Sequence, residues 1–320
     1  MKKNTIGNIS IAIHGGAGTI LRSNMSDTLE REYTNALKEA IDKAHSILVE
    51  GGSSVNAVEV AVKSLEDNPL FNAGKGAVFS HNGENEMDAC IMEGEFLKAG
   101  AVAGVRNIKN PISLARLVMA ESPHVFLANE GAIEFAKTKK VAFEPNDYFF
   151  VKSRYDQYII AKENDEIMLD HTSTTAVSKN NNKFGTVGAV ALDLDGNLAA
   201  ATSTGGMTNK RFGRIGDSPI VGAGTYANNN TCAISCTGHG ELFIRAVVAH
   251  DISCLMEYKN LTLKEACDLV VHSKLIKIGG EGGLIAIDAM GNVEMPFNSE
   301  GMYRAMKKNN DVPFIGIYKM

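Results

Sequence analysis

The chain has 320 residues, 44% of them hydrophobic, and a net charge of −5. That composition suits one large domain or two with a sizeable core, and the acidic balance offers no basic footprint for nucleic acid. Five cysteines without paired C-x-x-C spacing argue against a disulfide framework or a zinc ribbon and read as buried thiols, and no run of about 18 apolar residues suggests a membrane span. Met1-Lys2-Lys3 is basic, but residues 4–10 are too polar for the apolar stretch of a signal peptide, so a soluble, cytoplasmic protein is expected.

In chain order, residues 9–13 alternate like a strand, and 30–49 have helical spacing that stops at Gly51-Gly52. Ser53 or Ser54 caps a second helix through 65. Short strands are expected at 77–80, 88–92 and 99–105; Asn110-Pro111 opens a helix to about 120, and another helix fits 128–137. From 146 to 184 the chain turns polar and irregular, with 179–183 its least structured portion and the only good boundary candidate. Beyond it, 187–193 and 198–203 alternate around Asp195-Gly196, a strong hairpin signal. Further strands read at 221–226 and 232–237, helices at 240–255 and 263–277, and strands at 283–288 and 313–318. The fold class is mixed α/β (α+β), and helices packed outside two central sheets would bury such strands on both faces.

The polar boundary leads straight to Gly185-Thr186, where a chain could cut itself and expose a new N-terminal threonine. Such a residue joins a weak hydroxyl nucleophile to an α-amine base with a reference pKa of about 7.7–8.0. Glycine before it, lacking Cβ, can take strained backbone angles that push its carbonyl toward the hydroxyl.

Downstream lie TSTGG at 202–206, GRIGDSP at 213–219 and TGHGE at 237–241; upstream lie HGGAG at 14–18 and NPLFNAGKG at 68–76. Together and in register with GTVGAVALD at 185–193, they closely resemble the plant-type (type 2) asparaginase and isoaspartyl peptidase family of N-terminal-nucleophile (Ntn) hydrolases, from about His14 to Arg304. The resemblance implies an αββα sandwich forming a single domain over 1–320, self-cleaved into 1–185 and 186–320, and a homodimer of such two-chain protomers. It implies hydrolysis of β-aspartyl (isoaspartyl) dipeptides and, more weakly, of L-asparagine through an acyl-enzyme on Thr186.

By the same resemblance, Thr204 steadies the nucleophile, Thr237 and the Gly238 amide receive the oxyanion, and Asn72 lies near the reacting carbonyl. Arg214 offers a planar fork to an α-carboxylate, Asp217 can take the α-ammonium, and Gly240 adds a close backbone approach. No cofactor is required. The loop at 65–75 resembles one that binds structural sodium through backbone carbonyls, implying Leu65, Glu66, Asn68, Phe71, Ala73 and Lys75; Lys75 stands where relatives often carry an apolar residue.

His14-Gly15-Gly16 resembles an esterase oxyanion loop, but no G-x-S-x-G elbow accompanies it. The eight histidines show no paired ligand spacing and read as structural, with His239 inside TGHGE unassigned. Glycosylasparaginases, the nearest rival, typically place Asp before the nucleophile where this chain has Gly185, and the chain lacks the long insertion of a threonine aspartase. A non-processed amino-acid-binding protein using Arg214 and Asp217 is the alternative from another class.

Overall fold

Two β-sheets lie face to face, each with helices on its outer side. The computed structural model describes residues 8–167 and 185–319. The strands are β1 (Ser10–Gly18), β2 (Met87–Glu93), β3 (Ala99–Val105), β4 (Phe126–Ala128), β5 (Val187–Leu192), β6 (Leu198–Thr204), β7 (Thr225–Ala227), β8 (Cys232–Gly238), β9 (Gly282–Asp288), β10 (Val293–Glu294), β11 (Gly301–Lys308) and β12 (Phe314–Tyr318). Eight of them form one sheet in the order β12-β11-β1-β5-β6-β2-β3-β4, and β10-β9-β8-β7 form the other.

Helices α1 (Asp27–Val49), α2 (Ser54–Glu66) and α3 (Pro111–Glu121) cover the outer face of the large sheet. Ser26 and Ser53 cap α1 and α2, each hydroxyl accepting the backbone N–H three residues on, which settles the second cap on Ser53. Helices α4 (Asn129–Thr138), α5 (Asn146–Phe149) and α6 (Lys152–Glu163) follow. After the residues outside the description, α7 (Gly240–Ala246), α8 (Val248–Lys259), α9 (Leu263–Leu269) and α10 (Leu275–Lys277) complete the set, with α8 and α9 against the small sheet.

The period of two decides what each strand face meets. On β5 and β6, Val187, Ala189, Ala191, Ala199 and Ala201 join Leu37, Ile41, Val58 and Val62 in one core under the helices. Val190, Leu192, Leu198 and Ala200 point the other way and join Ala233 and Ile285 in a second core cluster with the small sheet. Thr202 and Thr204 continue this inward series, so the register itself delivers two hydroxyls to the space between the sheets. Asp193 closes the hairpin: one carboxylate oxygen accepts the amides of Asp195 and Asn197, the other that of Ser54 at the start of α2.

Several sequence expectations need correcting. Residues 77–80 form no strand, because their groups bond to side chains and loops instead: Val78 N–H donates to Asn72 Oδ1 (3.0 Å), Ser80 N–H to the Glu84 carbonyl (2.8 Å), and Asn85 Nδ2 caps the Ala77 carbonyl (2.8 Å). The helix at 240–255 breaks at Val247, whose φ is +48°; the amides of Ala249 and His250 turn to the Ala223 and Gly222 carbonyls. Those same bonds hold 221–224 in a turn, which leaves only Thr225–Ala227 as strand. A π-helical turn, Val270–Lys274, interrupts the helix expected at 263–277.

Two helices arise within the polar stretch. In α6 only Arg154, Tyr158 and Ala161 are buried, too few to print an apolar stripe in the sequence. The reading of 179–183 as unstructured lies outside the described residues. Strand β11 also escaped notice, because it carries Arg304 at its centre; that buried guanidinium bonds the Met302 and Tyr318 carbonyls and sits over the rings of Phe297 and Phe314.

Candidate active site

Thr186 immediately precedes β5, and pairing of Val187 with Ser203 sets it beside Thr204 at the end of β6. Its side chain is buried, with Oγ1 2.8 Å from the Gly185 carbonyl oxygen and 3.2 Å from Thr204 Oγ1. The Thr204 hydroxyl donates to the same Gly185 oxygen (3.1 Å) and accepts the Gly206 amide (2.9 Å). Asn72 Nδ2 completes the ring around that oxygen at 3.0 Å, and gives its second hydrogen to the Gly206 carbonyl (2.8 Å). With its Oδ1 bonded to Val78 N–H and its own carbonyl to Gly205 N–H, Asn72 is locked on every side. Any β-carbon at Gly205 would overlap Asn72 Oδ1, which explains the first glycine of TSTGG.

A small cavity opens beside Thr186, lined among others by Thr204, Gly206, Met207, Arg214, Asp217 and Gly238. Thr237 is buried on β8 just before Gly238, and its Oγ1 has no hydrogen-bond partner among the described residues. The same holds for Asp217 Oδ2. Buried polar atoms without partners cost about 1–3 kcal/mol each, so such pairs mark places built for something else to bind. Burial pushes the Asp217 carboxyl up to about 7, against the pull of the nearby Arg214 charge.

Arg214 does not pair with Asp217. Its guanidinium forms a two-pronged bond with Glu241, Nε to Oε1 and Nη2 to Oε2, both 2.9 Å. Nη1 lies between Gly206 and Gly216, both cavity-lining. Gly240 does not line the cavity but backs it, since a β-carbon there would press on Arg214 Nη2 and Asp217 Oδ1. His239 Nε2 is 3.3 Å from Glu241 Oε2. The sequence reading missed Glu241, although it closes TGHGE; a carboxylate four residues past the Thr237 position was the available signal.

His14, one of the histidines expected to be structural, is fully buried with Nδ1 3.1 Å from the Thr186 carbonyl oxygen. The pairing of β1 with β5 puts it opposite Gly188.

The stretch at 65–76 curls on itself. Carbonyls of Leu65, Asn68, Phe71 and Ala73 accept amides from within the curl, and Gly74 takes φ +54° because a β-carbon would strike the Glu66 carbonyl. Lys75 turns its ammonium over the Tyr148 ring, 5.2 Å from the centroid. The Glu66 carboxyl is buried and pins the curl to the rest of the site through Ser203 Oγ (2.7 Å) and Ile112 N–H (3.0 Å). Backbone carbonyl oxygens are the ligand type that a hard cation takes.

The family described as asparaginase matches residues 7–317. The chain is 54% identical over 314 residues to the isoaspartyl peptidase of Escherichia coli K12, covering 98% of this chain and 97% of that one. It is 43% identical over 305 residues to the human isoaspartyl peptidase/L-asparaginase, covering 95% and 94%, and 41% identical over 309 residues to that of Xenopus laevis, covering 96% and 94%.

Proposed function

This chain belongs to the asparaginase family, and from that premise we propose that it is a hydrolase of β-aspartyl dipeptides and, more weakly, of L-asparagine, acting through an acyl-enzyme on Thr186. The observation that carries the reading is the Thr186 hydroxyl seated on the Gly185 carbonyl, with Thr204 and Asn72 donating to the same oxygen. When the Thr186 proton points to Thr204, an oxygen lone pair faces the Gly185 carbon. Attack there forms an ester; the C–N bond breaks, the Thr186 nitrogen gains the proton, and water hydrolyses the ester to free a Gly185 carboxylate. Donors already aimed at the oxygen stabilise the charge that develops on it.

In the cut enzyme the Thr186 α-amine takes the hydroxyl proton and Oγ1 attacks the β-carbonyl of the substrate, while Thr204 steadies the nucleophile. The partnerless Thr237 hydroxyl and the Gly238 amide receive the oxyanion. The leaving amine takes the proton, and water releases aspartate. Arg214 Nη1 takes the α-carboxylate and the orphaned Asp217 oxygen the α-ammonium, with Gly240 allowing both to approach. The two stacked sheets between helices support the Ntn-type αββα sandwich as one domain. We also propose sodium in the carbonyl curl at 65–75 and a homodimer of two-chain protomers. No described helix is long and apolar enough to cross a membrane.

Purified protein should resolve into fragments 1–185 and 186–320 on denaturing gels, with Thr186 sequenced as the new N-terminus. Thr186→Ala should stay one chain, and Thr186→Ser should retain some cutting. An uncut wild type after days, or a cut Thr186→Ala, sinks the nucleophile assignment and favours a ligand-binding protein.

Among substrates, β-Asp-Leu should be hydrolysed and α-Asp-Leu should not, because the α-linkage occupies the carboxylate that Arg214 needs. Arg214→Ala loses charge-assisted bonds worth about 1.5–3 kcal/mol each, so kcat/KM should fall at least about tenfold with self-cleavage largely intact. Steady-state rates equal to wild type would overturn this view of the pocket.

With its carboxyl near 7 in the free enzyme, Asp217 is charged above that pH and neutral below it. KM for β-Asp-Leu should therefore rise as pH falls from 8 to 6, and Asp217→Asn should lose that dependence. A flat KM in wild type across the same range contradicts the ammonium assignment.

Sodium bound only by the folded chain should raise the melting temperature over that in choline salts at equal ionic strength. Identical melting curves would leave the carbonyl curl without a cation.

A further inference from the structure

The imidazole of His14 sits at the end of a buried hydrogen-bonded chain. Its Nε2 is 2.9 Å from Ser235 Oγ; Ser235 Oγ is 2.6 Å from Thr202 Oγ1, and Thr202 Oγ1 2.6 Å from Thr225 Oγ1. All four side chains are completely buried, and they come from β1, β8, β6 and β7, so the chain crosses from one sheet to the other. Burial drives the His14 pKa down to about 3, which leaves the ring neutral with one donor and one acceptor nitrogen. The Thr186 carbonyl can only accept, so Nδ1 carries the hydrogen. Nε2 then accepts from Ser235 and Ser235 from Thr202, while the single Thr225 hydrogen is within reach of both Thr202 Oγ1 and the Ser218 carbonyl (3.0 Å). The protons of Thr202, Ser235 and the ring run toward Thr186, an arrangement in which successive bonds strengthen one another. Space for it comes from Gly188, where a β-carbon would overlap both His14 Nε2 and Ser235 Oγ.

The carbonyl that His14 holds lies on the far side of the Gly185–Thr186 bond from the point of cutting. Hence the contact survives cleavage and then joins fragment 1–185 to the first residue of fragment 186–320. Chain ends ordinarily fray unless something ties them down. Resting on the reading of Thr186 as a self-exposed nucleophile, we propose that His14 is a positioning residue that tethers the new N-terminal threonine by its carbonyl, with Ser235, Thr202 and Thr225 holding the ring. Before cutting, Thr186 is held by the chain on both sides and the tether is redundant; afterwards it fixes where Oγ1 and the amine stand.

Two amide variants separate the tether from mere space filling. In His14→Asn the side-chain amide reaches the position of Nδ1 and can still donate to the Thr186 carbonyl. His14→Gln reaches the position of Nε2 and cannot. Both are purified, checked for cleavage by gel and for folding by melting temperature, and assayed after processing on β-Asp-Leu from pH 6 to 9. The expectation is that His14→Gln cuts as wild type does but loses kcat about tenfold or more, as misplacement of a reacting group predicts, with KM within about twofold. His14→Asn should keep most of the rate. The factor lost by His14→Gln should be the same at every pH, because a neutral tether is not an acid or base. Wild-type kcat in His14→Gln, equal losses in both variants, or a vanished pH limb would each overturn the proposal. Should His14→Gln fail to fold, Ser235→Ala removes the hydrogen bond that orients the ring, and unchanged kcat there overturns it too. An inert wild type fails the underlying hydrolase reading, whereas an active wild type matched by His14→Gln fails the tether alone.

Discussion

A single backbone oxygen, that of Gly185, organises this molecule. Three side chains from separate parts of the chain, Asn72, Thr186 and Thr204, lie within 3.1 Å of it. A buried carbonyl must be satisfied, but one acceptor has only two lone pairs, and surrounding it with three donors is more than satisfaction requires. The surplus is stabilised by everything around it: the curl at 65–76 presents Asn72, the β5–β6 ladder aligns the two threonines, and the Gly205-Gly206 turn approaches only because it lacks β-carbons.

Electrostatics in the adjoining cavity follows the same logic of incomplete pairing. Glu241 takes one edge of the Arg214 guanidinium and leaves Nη1 between Gly206 and Gly216. Asp217 has one oxygen without a partner among the described residues and a carboxyl that burial tends to neutralise. Deeper in, Lys210 is buried with its ammonium bonded to the Glu86 carbonyl (2.8 Å), near an equally buried Asp88. A zwitterion entering here would complete pairs that the fold leaves open.

Local signals in the sequence carried the strands from 87 to 105, the 187–204 hairpin and the capped helices, because turn residues and caps act within a few positions of themselves. Motif order brought Thr186, Thr204, Asn72, Arg214 and Asp217 to one place. What could not be read depends on distant partners. His14 meets Thr186 across 172 residues, and nothing in H-G-G announces a hydrogen bond to a carbonyl so far along. Residues 77–80 looked like a strand by propensity, but Asn72 and Asn85 claimed their backbone groups first. Helix α6 was hidden by its polarity, and β11 by an arginine whose burial requires aromatic rings from other segments.

The strand order of the large sheet has a consequence for how this protein can be assembled. Across β11-β1-β5-β6-β2, strands from before residue 185 are inserted among strands from after it: β1 is sandwiched between β11 and β5, and β2 lies against β6. Two fragments divided there are interleaved like the fingers of clasped hands, and neither owns the complete large sheet. They cannot part without dismantling the core, so dissociation and unfolding become one event. With the cleavage proposed at Gly185–Thr186, folding would have to finish while the chain is still continuous, since afterwards the same ladder could form only by a second-order encounter of two separate fragments. A molecule so divided would endure by the slowness of its unfolding and not by its capacity to refold.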